Sequence, residues 1–526
     1  MIKKILLILR TVRYLKLRQV IFQFYSRLKP VKSLHAYDPG PHTKVIFRPL
    51  NLKFVYIIPE SVKEDLSFNF LNQTHQFSKA IDWNYQAYGK LWNYNLQYFN
   101  YLHQANLDNN IKNDWLKEIG YCLRKGTLKL EPYPVSLRTM NAIRYCSINN
   151  IEDHQILKDT YAQLKYLNHN IEYHLLGNHL LENAFALMMG GYAFNEKSWL
   201  QKSRKILYRE LNEQILNDGG HFELSPMYHQ IILFRVLELI DWYSNADHPD
   251  PDFLKFIMQK AKLMLSWLKG ITFENGDIPH FNDSATGVAL SSQKLFDCAK
   301  LFEFSNFTTG NFSASGYRKF SYGKYECVVD AGPVGPSYQP GHGHADALSF
   351  ILYYRGLPFL VEAGTSTYQI GEKRNYERST YAHNTVIIGG ENQSEVWSGF
   401  RVGRRANIVI ENESPLSLCA THDGYVHNFG VLHKRHFNFD INSIQITDKI
   451  GTKNGTAILH FHPDCKVEII DSNTVFIDQF AKLSINGATQ ISLGNYEFAN
   501  GFNRYEQATE LIIDFIGTLE TFIVFQ

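Results

Sequence analysis

No C-x-x-C pair occurs among the six cysteines, Cys122, Cys146, Cys298, Cys327, Cys419 and Cys465, so neither a thiolate zinc site nor a disulfide framework is indicated. No run of about twenty apolar residues occurs either, which argues against a membrane-spanning helix. Charge of one sign is not in surplus: 53 Lys and Arg stand against 51 Asp and Glu, a net charge of +2. Such a balance does not mark a nucleic-acid binder, although a local basic groove stays open. The start, Met1 to Arg13, imitates a secretion signal, but Arg10 interrupts the apolar stretch and no small-residue cleavage site follows. A basic amphipathic surface helix, able to touch a membrane peripherally, fits better. Short tandem repeats are also missing.

What is present is length and two textures. A chain of 526 residues exceeds one hydrophobic core, so two large domains are expected. Aromatics reach 14%, which suits carbohydrate stacking and ordinary large cores equally well. From about residue 60 to 305 apolar residues recur at helical spacing, as in Trp92–Leu102 and Ile231–Ile240. This half reads as all-α. After the small polar linker Thr308–Gly316 come short β-branched and aromatic runs between Gly, Asn and Asp, as in Tyr325–Asp330, Ala406–Ile410 and Ser443–Asp448. The predicted division is a basic lead-in over 1–59, a helical domain over 60–310 and an antiparallel β-sandwich over 311–526.

The richest segment is Gly341-His342-Gly-His344-Ala-Asp346, where two imidazoles bracket a glycine. Two apolar runs follow about Arg355-Gly356, the pattern of a β-hairpin. The histidines then sit at a strand entrance, with Glu362 at the exit of the partner strand. His383 precedes another β-branched run, so His344, Glu362 and His383 are candidates to converge as nitrogen and oxygen ligands of a zinc-like ion. In the helical half, Asn178, His179 and Glu182 share a helix face at i, i+3 and i+4 spacing, so Glu182 can orient His179. A polar cluster satisfying a helix start is the equal alternative. Ser225-Pro226 predicts a helix start that puts Tyr228 in the first turn, where the macrodipole favours phenolate. Ser136 is read as a further cap, with Arg138 and Asn141 on one face. Arg138 suits bidentate pairing with a substrate carboxylate or a salt bridge within the bundle. Asp283 is a loop candidate with a mainly structural role.

Together Asn178–Asn183, Glu223–His229, Gly341–Asp346 and Arg378–Val386 resemble the heparinase II/III-type polysaccharide lyases. The resemblance implies an N-terminal (α/α) toroid of paired helices followed by a C-terminal antiparallel β-sandwich. It implies β-elimination on a uronic-acid-containing, glycosaminoglycan-like or capsular polysaccharide. Asn178, with His179, matches the group that neutralises the uronate carboxylate, Tyr228 the catalytic tyrosine and His342 the histidine facing it. Substrate contacts are expected at Arg138, Asn141, Glu182, His229 and Arg378. A mainly structural divalent metal is implied at His344, Glu362 and His383, zinc first and calcium as the alternative, with no organic cofactor. Glu362 departs from the Asp expected there. The family places such enzymes in the periplasm or envelope, whereas the N-terminus suggests a membrane-associated or cytoplasmic protein. Two other classes compete: a glycoside hydrolase on an α/α toroid, using Glu182 and Glu223, and a non-catalytic polysaccharide-binding or assembly protein.

Overall fold

Three helices, Pro132–Asn149, Gly177–Ala193 and Pro226–Ser244, are buried on nearly every side, because their apolar residues are not confined to one stripe. The helices beside them in sequence, His154–His169, Lys197–Gln214 and Pro251–Ile271, bury one face and leave the other polar. This division sorts the first set to an inner ring and the second to an outer one, the arrangement of an (α/α) toroid. In this computed structural model, all residues are described except 1, 31, 41–43, 55–57, 303, 305–306 and 308–311 and the side chains of residues 2 and 3. The first four residues of the expected linker, 308–311, therefore lie outside the described residues.

The β half is a sandwich. A nine-stranded antiparallel sheet runs in the order 408–414, 417–422, 433–440, 443–460, 505–525, 481–499, 474–477, 467–471, with Val386–Ile388 paired onto Ser443–His460. A four-stranded sheet of Tyr317–Tyr322, Tyr325–Asp330, Phe350–Tyr354 and Leu357–Leu360 packs against it. Phe320 of the small sheet stacks on Phe439 of the large one at 3.9 Å, inside a shared apolar core. Each such buried ring contributes roughly 1.5–3 kcal/mol. The hairpin expected at Arg355-Gly356 forms, both residues taking positive φ, as a two-residue primed turn requires.

The helical region is not purely α. Ser67–Phe70 and Gln73–Gln76 pair as a small hairpin, its turn at Leu71 and Asn72 again at positive φ; Phe68 packs against Trp115 at 5.6 Å and so anchors it. Nor does Ser136 cap a helix. That helix begins at Pro132, and the Ser136 hydroxyl donates back to the Pro132 carbonyl, since Pro132 already supplies the N-terminal stop.

At the N-terminus, Ile2–Val12 and Leu17–Leu28 form two helices. Leu9, Leu17, Phe24 and Leu28 are exposed on them, consistent with the surface helix expected there. No helix among the described residues is long and apolar enough to cross a membrane. Both halves hold these helices: Lys16 pairs with Glu213, and Arg10 reaches Glu395 at 2.5 Å.

Candidate active site

A cleft of about 1600 Å³ runs between the toroid and the sandwich, with Asn178, His179, Tyr228 and His342 in its wall. This exceeds the 300–1,000 Å³ typical of a small-molecule site and suits a polymer.

The helix Gly177–Ala193 begins in that wall. Leu176 and Gly177 have φ of 64° and 56°, and the turn leaves the Asn178 backbone N–H free to donate to Glu223 Oε1 at 2.9 Å. The Asn178 side-chain amide donates to Glu223 Oε2 at 3.0 Å. A Cβ on Gly177 would lie 2.6 Å from the same carboxylate and collide with Gln339, so glycine is what allows the clamp. Asn178 Oδ1 is buried without a partner. His179 packs on Tyr133 at 4.3 Å and meets Glu172 Oε1 at 3.2 Å. Burial alone would lower the pKa of His179; Glu172 outweighs it and raises it, favouring the imidazolium. The orienting residue is thus Glu172 rather than Glu182. Glu182 is drawn to Arg235, at 3.0 and 3.1 Å, because a buried guanidinium needs a carboxylate partner.

Tyr228 lies in the first turn of Pro226–Ser244, with its N–H donating to Ser225 Oγ at 3.2 Å, as the Ser-Pro pair predicts. Its ring stacks on His342 at 4.0 Å and 30°, and its hydroxyl lies 3.3 Å from that of Tyr368. The expectation of phenolate character is corrected. Burial, then Tyr368, pushes the Tyr228 pKa well above 10, because withdrawing an anion from water costs several kcal/mol, whereas a helix end returns at most about 2.

Asp283 is the hub. One oxygen accepts from His342 Nδ1 at 2.8 Å and the other from His344 Nε2 at 2.9 Å, while Arg374 grips both at 2.5 and 2.6 Å. Burial would raise this carboxyl; Arg374 first, then the two imidazoles, holds it well below the usual range. A carboxylate that only accepts fixes the proton on His342 Nδ1 and leaves Nε2 as the basic atom. That Nε2 lies 3.7 Å from Glu223 Oε2, so the Asn178 and His342 clusters meet. Gly343 has no room for a side chain, with Val334 at 2.9 Å from a built Cβ.

His344, Glu362 and His383 are brought together. The two rings lie 5.3 Å apart, and His383 Nδ1 bonds Glu362, which also accepts from Ser349. His344 Nδ1 and His383 Nε2 are buried without partners, which fits imidazole donors awaiting an ion, and burial lowers the His344 pKa to about 4. His383 and Glu362 are bonded to each other and His344 is turned to Asp283, however, so the three are not arrayed around a point. Among the described residues, no group of three or more His, Cys, Asp or Glu is placed to hold a metal.

Three expected substrate contacts are corrected. Arg138 is buried, donating to Gln163 at 2.6 Å and to the Gln97 carbonyl at 3.0 Å. His229 is spent between the Met264 carbonyl and the His221 N–H, against Trp267. Arg378 donates twice to the Gly343 carbonyl, at 3.1 and 2.8 Å, and so braces the His342 loop from behind. Each is a long polar side chain on a mostly buried segment, where structural bonds satisfy it before a ligand arrives. Asn141 and Glu182 do line the cleft, Asn141 beside His103 at 3.2 Å. Arg374 and Tyr368 have no local signal, because their partners Asp283 and Tyr228 are distant in sequence; Glu172 lies only seven residues before His179, but across the turn that precedes the helix.

Residues 146–306 match the family described as heparinase II/III N-terminus, and residues 306–521 the heparinase II/III-like C-terminal family. The chain belongs to the heparinase II/III family. The heparin-sulfate lyase of Bacteroides stercoris is 27% identical over 349 residues, 59% of this chain and 49% of that protein. The heparin-sulfate lyase of Pedobacter heparinus is 26% identical over 270 residues, 45% and 40% of the two chains. The match thus spans about half the length of the curated relatives or less. A solved heparinase III covers 96% of this heparinase II/III chain and 89% of its own, with a TM-score of 0.67 at 17% identity. A heparan sulfate lyase structure from Pedobacter heparinus covers 88% and 81%, with a TM-score of 0.58 at 19% identity. At such identities these structures show the shared toroid-and-sandwich fold.

Proposed function

We propose that this heparinase II/III chain is a polysaccharide lyase that cleaves a uronic-acid-containing polymer by β-elimination. The observation that carries the reading is the stack of Tyr228 on His342, joined through Glu223 to Asn178 in one cleft. The name of the curated relatives, heparin-sulfate lyase, supports a glycosaminoglycan-like substrate.

The C5 proton of a uronate is acidic only if its carboxylate is neutralised, since removing that proton builds further negative charge there. The second N–H of the Asn178 amide and the imidazolium of His179 supply that neutralisation. His342 Nε2 takes the C5 proton. The C5–H electron pair forms the C4=C5 bond as the C4–O bond breaks, and Tyr228, held as the phenol, protonates the departing oxygen. Glu182 and Glu223 are each held by a partner, Arg235 and Asn178, which argues against their use as the free carboxylate pair of a hydrolase.

Ultraviolet absorbance of the unsaturated product tests the reading, over heparan sulfate, chondroitin, hyaluronan, alginate and capsular polysaccharides. Absorbance should grow on at least one polymer; new reducing ends without absorbance would mean hydrolysis instead.

A divalent ion, zinc or else calcium, belongs to the same proposal, supported by the unpartnered nitrogens of His344 and His383. His344, His383 and Glu362 would hold it, and it would stiffen the loop that carries His342. No step runs through it. Elemental analysis of purified protein should find less metal in His344→Ala than in the parent, with a lower melting temperature. Equal metal in both removes the ion from the site.

A further inference from the structure

The cleft does not end at the catalytic residues. The hairpin Val396–Trp397 with Arg401–Val402 turns through Phe400, whose ring lies edge-on to His342 at 6.1 Å. Arg374, which grips Asp283, also donates to the Gly399 carbonyl at 3.1 Å, so the hairpin tip is fixed to the catalytic hub. Its base leads away along the cleft. There the Arg401 guanidinium lies 4.9 Å from the Trp397 ring centre, and Trp397 Nε1 donates to Thr11 Oγ1 at 3.1 Å on the N-terminal helix. Three residues beyond Thr11, Tyr14 is covered by Arg405 at 4.0 Å. Tyr14, Trp397, Arg401 and Arg405 all line the same cleft as Tyr228 and His342.

This ledge is strongly cationic. Arg13 also lies over Tyr14, at 4.6 Å, and the charges of Arg10 and Arg13 act on Arg404, and that of Arg13 on Arg405. Against these guanidiniums stands Glu395, which Arg10 contacts at 2.5 Å and Arg404 at 3.9 Å. The N-terminal segment adds no acid of its own, the first being Asp38. Arg405 Nε is buried with no acceptor. Crowded like charges and an unmet donor are costly unless an anion completes the site. Flat rings beside guanidiniums are the combination that a charged sugar needs, stacking for its apolar face and fork-shaped donors for its acid group.

We propose that Tyr14, Trp397, Arg401 and Arg405 form a second subsite of the cleft, which binds an anionic sugar of the polymer, through a carboxylate or a sulfate ester, away from the bond that breaks. Tyr14 precedes residue 146, where the N-terminal family match begins, whereas Trp397, Arg401 and Arg405 lie within the C-terminal match at 306–521. The proposal rests on the reading of the cleft as a uronate-polymer site.

The test measures binding apart from cleavage, in the full chain carrying Tyr228→Phe. Size-defined tetra- and decasaccharides of hyaluronan, which carry carboxylates alone, and of heparan sulfate, which add sulfates, are titrated by calorimetry at two salt concentrations. With Arg401 and Arg405 intact, a decasaccharide should bind at least tenfold more tightly than the tetrasaccharide, with marked salt dependence. In Arg401→Gln/Arg405→Gln that gain should collapse and the salt dependence flatten, while Arg401→Lys/Arg405→Lys keeps most of the salt dependence. Preference between the two polymers tells carboxylate from sulfate. An unchanged length gain in the glutamine variant overturns the subsite, as does a parent that binds neither decasaccharide. Binding that collapses as expected while the unmutated chain yields no unsaturated product from any polymer would retain the subsite and reject the lyase.

Discussion

Tyr228→Phe should abolish formation of unsaturated product while the protein remains folded and still binds its polymer. The hydroxyl makes one long bond, 3.3 Å to Tyr368, so its loss costs about 0.5–1.5 kcal/mol of stability. The ring stack on His342 survives, because phenylalanine keeps the ring. What disappears is the proton for the leaving oxygen, and general acid catalysis of this kind is worth about 10²–10⁴ in kcat. The measurement is kcat and KM from ultraviolet absorbance, with the melting temperature as a control. A variant within threefold of the parent would remove Tyr228 from the chemistry. The parent should also show no alkaline fall in rate centred near the ordinary tyrosine pKa of 10, because the phenol titrates well above it. Tyr228 loses its acid form only above that shifted pKa; an alkaline decline at lower pH reports the His179 imidazolium, whose pKa Glu172 raises.

The second large effect falls on a residue that need not touch substrate. Asp283→Asn leaves Arg374, which has no exposed side-chain surface, without its counter-charge. Removing one partner of a buried pair costs about 3–5 kcal/mol, or roughly 5–15 °C in the melting temperature of the affected domain. The same change frees His342 Nδ1 to bond an amide in either tautomer, so kcat should fall on the order of 10²–10⁴-fold at little change in KM. Stability and catalysis separate in Asp283→Asn/Arg374→Gln, where no lone charge remains buried. Thermal unfolding should recover part of the loss while turnover does not. Recovery of turnover together with stability would show that Asp283 acts on the fold alone.

Local features were the legible ones. Arg355-Gly356 predicted its hairpin and Ser225-Pro226 its helix start, because each is decided by backbone preferences within a few residues. The change of texture near residue 310 separated helices from strands, since period 3.6 and period 2 are visible in the chain itself. Asn178, Tyr228 and His342 were singled out on motifs, and the structure lines one cleft with them. What was not legible depends on distance in sequence. Asp283 reads as a structural loop residue, yet its four bonds join it to three residues 59 to 91 positions away. Arg138 and Arg378 suggest substrate contacts in the sequence because each stands near a motif. An arginine within an otherwise apolar helix is better taken as half of a buried polar network, and that rule applies to Arg138, Arg144 and Arg235 alike. At Tyr228 magnitude decides, since the helix dipole that favours phenolate is smaller than the desolvation that opposes it.

The residues of the candidate site are divided between the halves of the chain: Tyr228, Asn178 and Asp283 come from the toroid, and His342, Arg374 and Tyr368 from the sandwich side. Each half has its own apolar core, and each can nucleate on contacts close in sequence. The Asp283 hub and the Tyr228–Tyr368 contact exist only once the two cores have docked. Helix and sheet signals should therefore return before catalytic competence when the unfolded chain is allowed to refold. The proposed activity would then be a readout of docking, lost by damage that loosens the seam while leaving both domains intact.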